Sequence, residues 1–60
     1  MQPRNLSVAE AAMYMGVKER FIRRLIAEHR IRFLKLGKHV RIPETAILEF
    51  EAMSLVEKAN

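Results

Sequence analysis

The stretch from Glu19 to Arg30, ERFIRRLIAEHR, constrains the fold most, because its residues separate by helical position. Ile22, Leu25, Ile26 and His29 fall on one face at 3.6-residue spacing, with Phe21 at the flank; Glu19, Arg20, Arg23, Arg24 and Ala27 fall opposite. Such a helix must bury its apolar stripe, His29 included, against other elements of the same chain, and it leaves a cationic face outward. Lys18 stands where Ser, Thr or Asp is preferred, so the helix starts without a good capping side chain.

Upstream, Ser7 and Glu10 have the spacing of a capping box, and Val8, Ala11, Ala12 and Met15 share a helical face before Gly16, a residue that commonly ends a helix. This predicts a first helix over residues 8–15. Downstream, Phe33 to Ile42 changes to a period of two around Gly37. A three-residue loop, Gly37-Lys38-His39, would set Leu36 opposite Val40 and Leu34 opposite Ile42 on one apolar face, with Lys35 and Arg41 paired outward. That like-charged pair costs stability unless something anionic lies against it. Pro43-Glu44 opens a last helix, with Pro43 suited to its first position; Ala46, Ile47, Phe50 and Met53 make its core face, and Leu48, Ala52 and Leu55 a weaker second stripe. Residues 1–5 and the last few are expected to fray.

Sixty residues allow one domain, expected to span residues 1–60 with an ordered core of about 6–55, and leave little room for a large buried active site. With no cysteine, disulfides and thiolate chemistry are out; His29 and His39 have no carboxylate spacing that reads as a metal site, so neither metal nor cofactor is expected. No nucleophile and base can be assembled, which argues against an enzyme. No apolar run approaches the roughly 20 residues of a membrane span, and the first ten residues lack a signal-peptide core, so the expected location is the cytoplasm. Charge is segregated: residues 1–42 hold ten Lys and Arg against Glu10, Glu19 and Glu28, whereas residues 43–60 hold Lys58 against Glu44, Glu49, Glu51 and Glu57. A polyanion is the natural partner of the first part.

Two short helices joined through a glycine, then a small hairpin and a last helix, outline a mainly α winged helix-turn-helix, in which the second helix enters the major groove. Arginines on that helix gain by displacing counterions from phosphates, and the guanidinium fork matches guanine O6 and N7. Arg20, Arg23 and Arg24 point to one side, with the small Ala27 leaving room for close approach.

Residues 6–50 resemble the excisionase-type winged helix-turn-helix domains, relatives of the DNA-binding part of MerR regulators. The resemblance is carried by Leu6-Ser7-Val8, Glu10-Ala11-Ala12, Gly16-Val17, Arg24-Leu25-Ile26, Leu36-Gly37 and Arg41-Ile42-Pro43 in that order and spacing. It implies a phage or mobile-element recombination directionality factor of a bacterial host that bends attachment-site DNA and directs an integrase toward excision. The implied partners are double-stranded DNA at direct repeats, the integrase, and neighbouring copies of the chain. The implied contacts are Lys18, Arg20, Phe21, Arg23 and Arg24 on the helix, and Lys38, His39 and Arg41 on the wing, with Lys35 extending that face. The chain departs from the family pattern at Lys18-Glu19, at His29 in place of a glycine, and at Arg32 in place of a proline; His29 and Arg32 suggest a second helix one turn longer.

Other readings keep the same surface: a small transcriptional regulator, or an interaction module that meets an acidic protein. For single residues, the plainer alternatives are a core-edge role for Phe21, a solvated loop for His39 and an ordinary Glu19–Arg23 ion pair within the helix.

Overall fold

The computed structural model describes residues 4–56; the ends where fraying was expected, residues 1–3 and 57–60, lie outside the described residues. The elements run β1 (Asn5–Leu6), α1 (Val8–Met15), α2 (Glu19–Ala27), β2 (Leu34–Leu36), β3 (His39–Pro43) and α3 (Glu44–Ser54). Three helices pack on a small antiparallel sheet of order β1-β3-β2, the architecture of a winged helix-turn-helix.

The capping box forms as the sequence predicts. Ser7 Oγ accepts from the Glu10 N–H at 3.1 Å, and the Ser7 N–H donates to Glu10 Oε1 at 2.9 Å. At the other end Gly16 takes φ +70°, and its N–H and that of Val17 close back on Met13 and Ala12 carbonyls. The Ser7 backbone N–H, then the Ser7 side chain, and more weakly Arg4 and Arg41, hold the Glu10 carboxyl below its ordinary pKa of 4.5. A depressed folded-state pKa contributes stability that is fully present above about pH 4.5 and is lost as pH falls through the lower folded value. Glu10→Gln is therefore expected to be less stable than wild type at pH 7, with the gap narrowing toward pH 3. Urea denaturation at both pH values reads this, and a constant gap would contradict it.

The second helix is not longer than its apolar pattern. It ends at Ala27 through the same hydrogen-bond pattern as α1: His29 N–H to Ile26 O at 3.1 Å and Arg30 N–H to Leu25 O at 2.8 Å. His29 occupies the left-handed position at φ +54°, where its backbone turns the chain, and so it lies exposed instead of joining the core face. Its ring sits 6.0 Å from that of Phe33. The turn directs Ile31 inward, where it is buried with Ile22 and Leu25 of α2, Val8, Ala11 and Ala12 of α1, Leu6, Ile42, Ala46 and Ile47.

The hairpin corrects the expected register. Leu36 pairs with His39, Lys35 with Val40 and Leu34 with Arg41, so the turn has two residues, Gly37-Lys38. Gly37 takes φ +64° while Lys38 keeps φ negative, the arrangement of a type II′ turn, whose twist suits the flanking strands. Lys35 and Arg41 consequently lie on opposite faces, and the expected like-charged pair is absent. Leu34 and Leu36 leave the core face and are 39% and 55% exposed. Burial could not enforce the other register, because β2 is an edge strand, whereas β3 is held by Ile42 in the core and by β1 on its far side.

Strand β1 has no signal in the sequence: Asn5 pairs with Pro43 and Leu6 with Ile42, so the chain is ordered before the expected start of the core. Pro43 ends β3 just before α3 and is not the helix's first residue, and the Glu44 N–H donates to the Arg4 carbonyl at 2.8 Å. Of the expected α3 core face, Ala46 and Ile47 are buried and Phe50 packs at the edge, but Met53 is 87% exposed. The helix outlasts the core beneath it. Among the described residues no helix is long and apolar enough to cross a membrane.

Candidate nucleic-acid interface

Burial of Ile22 and Leu25 fixes the roll of α2 and turns Arg20, Arg23, Arg24 and Ala27 to solvent. The cationic face is then divided between two shallow concavities. One brings Glu19 and Arg23 of α2 together with Lys38, Val40 and Arg41 of the hairpin and with Ser7, Val8 and Ala9 at the start of α1. The other, on the opposite flank of α2, is lined by Val17, Lys18, Arg20, Phe21 and Arg24.

The first concavity draws three cations from two elements to one place, Arg23, Lys38 and Arg41. The α1 N-terminus adds amide donors beside them: its first-turn amides have no intrahelical carbonyl partners, although Ser7 Oγ satisfies that of Glu10, and the Glu10 carboxylate on the Ser7 N–H offsets the positive end of the dipole. The Arg41 guanidinium is steadied by a hydrogen bond from Nη1 to the Val40 carbonyl at 2.9 Å. Anionic oxygens are what such a surface attracts. Sequence patterning did not point to the Ser7–Ala9 segment, because its contribution is backbone direction, not side-chain chemistry.

In the second concavity Phe21 is 37% exposed, neither in the core nor fully free, with Lys18, Arg20 and Arg24 around it. An aromatic side chain with three cations beside it suits a nucleic acid, where bases lie between phosphates. The remaining wing residues are placed apart from both concavities: Lys35 opposite Val40 and His39 opposite Leu36, both exposed.

Ion pairing sorts the cations further. Arg23 Nη2 lies 3.5 Å from Glu19 Oε1 and Arg24 Nε 3.4 Å from Glu28 Oε2, while Arg30 shares Glu28 at 3.6 Å. Arg32 forms a two-pronged pair with Glu49, 2.9 and 3.0 Å, which ties the segment before the wing to α3. Among the described residues, Lys18, Arg20, Lys35, Lys38 and Arg41 have no carboxylate within 4.0 Å. The pairing does not remove Arg23 or Arg24 from use, since an exposed pair of this kind is worth only about 0–1 kcal/mol. A phosphate or a base edge can replace the carboxylate at little cost.

Among the described residues no group of three or more His, Cys, Asp or Glu could hold a metal ion. A family model described as a helix-turn-helix domain matches residues 6–53, which takes in both helices, the hairpin and most of α3. No curated protein and no solved structure matches the chain.

Proposed function

The chain belongs to this helix-turn-helix domain family, which includes DNA-binding proteins, and from that premise we propose that it is an excisionase of a phage or integrated element. In this reading α2 enters the major groove, and the hairpin contacts the adjacent minor groove or its phosphates. The protein has no catalysis of its own: it binds and bends attachment-site DNA in the bacterial cytoplasm and turns an integrase toward excision.

The observation that carries the DNA-binding part is the meeting of Arg23 from the helix with Lys38 and Arg41 from the wing beside the α1 N-terminus. Support for the excisionase part comes from the ordered series of short matches between Leu6-Ser7-Val8 and Arg41-Ile42-Pro43. Size supports cooperative use, because one module of this kind covers only about 600–1,000 Å² and reaches high specificity by binding beside further copies.

A gel-shift titration on the element's attachment region, with circularly permuted fragments to read bending, tests the proposal. A ladder of discrete complexes with position-dependent mobility is expected. A single site over a promoter, with no effect on integrase-catalysed excision, would replace it with a transcriptional regulator.

A further inference from the structure

We propose that Glu19 reads a base: paired with Arg23, it selects cytosine in one C·G base pair of the target. This rests on the reading of α2 as the recognition helix. Glu19 stands out because it is the one carboxylate among the side chains of a concavity otherwise furnished with Arg23, Lys38 and Arg41. Against a phosphate it would be repelled, so its presence in a surface that only gripped the backbone would weaken that grip.

Its position fits a different task. Glu19 is the first residue of α2, at the end of the helix that a recognition helix presents to base edges. Both members of the pair are more than half exposed, at 52% for Glu19 and 67% for Arg23. The contact joins Oε1 to Nη2 at 3.5 Å, and among the described residues neither side chain makes a further ion pair or side-chain hydrogen bond. The pair therefore offers acceptor and donor side by side.

One C·G base pair displays the complementary set in the major groove: N7 and O6 of guanine accept, and the N4 amino group of cytosine donates. Arg23 would take the guanine edge while Glu19 accepts from the cytosine. Thymine has O4, an acceptor, where cytosine has its amino group, and a carboxylate repels it. The same negative charge weakens attachment to random duplex, so Glu19 raises specificity by rejecting wrong partners as well as by contacting the right one.

The test is a binding-site selection from random duplex with wild type and with Glu19→Gln, followed by affinities on the selected site with its cytosine changed to thymine. The variant is isosteric at an exposed position, and its thermal unfolding checks that the fold is kept. Wild type is expected to prefer cytosine at one position by about tenfold or more. The glutamine amide both donates and accepts, so in the variant the preference should fall several-fold, leaving the share that Arg23 draws from the paired guanine, while affinity for random duplex rises. An unchanged cytosine preference in Glu19→Gln would overturn the role of Glu19 and leave DNA binding intact. Failure of wild type itself to select any sequence would overturn the recognition-helix reading, and the role of Glu19 with it.

Discussion

Leu25→Ala is expected to lower stability by about 2–5 kcal/mol. Leu25 is fully buried beside Ile22, and removing its side-chain carbons loses both their transfer from water and the packing of the cavity left behind. A domain of 60 residues has roughly 3–9 kcal/mol in all, so this single change takes a large part of it. The consequence for function follows from geometry. Leu25 and Ile22 set the roll of α2, and with them gone the arginines lose the scaffold that aims them. Urea denaturation should show the midpoint falling, and DNA affinity should fall with the folded fraction. A loss below about 1 kcal/mol would mean that α2 is not anchored through this side chain.

Arg23→Ala is expected to act in the opposite way, on binding and not on folding. Its pair with Glu19 is exposed and contributes little to stability. At the DNA, a guanidinium bidentate to guanine is worth about 1–3 kcal/mol of discrimination, so affinity for the selected site should drop by roughly 5- to 150-fold. Random duplex should lose much less. Equal losses on both DNAs would make Arg23 a phosphate contact and take base reading away from the Glu19–Arg23 pair.

The helices were legible because their signals are local. Ser7 and Glu10 cap each other across three residues, Gly16 ends α1 where its backbone freedom is needed, and Ile22 and Leu25 repeat at helical spacing. What sequence could not supply came from pairing over distance. Two residues at Asn5–Leu6 carry no strand pattern of their own and become β1 only because β3 offers an edge beside Ile42. The hairpin shows two local signals in conflict: apolar alternation favoured a three-residue loop, and glycine at the first turn position favoured two. The turn prevailed, and Leu34 and Leu36 stay exposed. His29 leaves the core face for a related reason. Helical periodicity puts it on the core face, but the helix stops before it, and the left-handed turn needs its backbone more than the core needs its ring.

The site was legible in part. The arginine face of α2 could be seen in the residue pattern, but its division into two concavities could not, because that depends on where the hairpin and α1 lie. Arg23 and Arg20 look equivalent on a helical wheel. In the fold, Arg23 lines one concavity with Lys38 and Arg41, whereas Arg20 lines the other with Phe21.

The most direct test is duplex affinity across a salt series, for wild type and for the Lys38→Ala, Arg41→Ala double variant. If the helix and wing grip phosphates together, the logarithm of the association constant falls linearly with the logarithm of salt concentration, and the double variant flattens the slope by about 2. An unchanged slope in the variant, or no duplex affinity at low salt in wild type, would contradict a DNA interface at the Arg23, Lys38, Arg41 concavity.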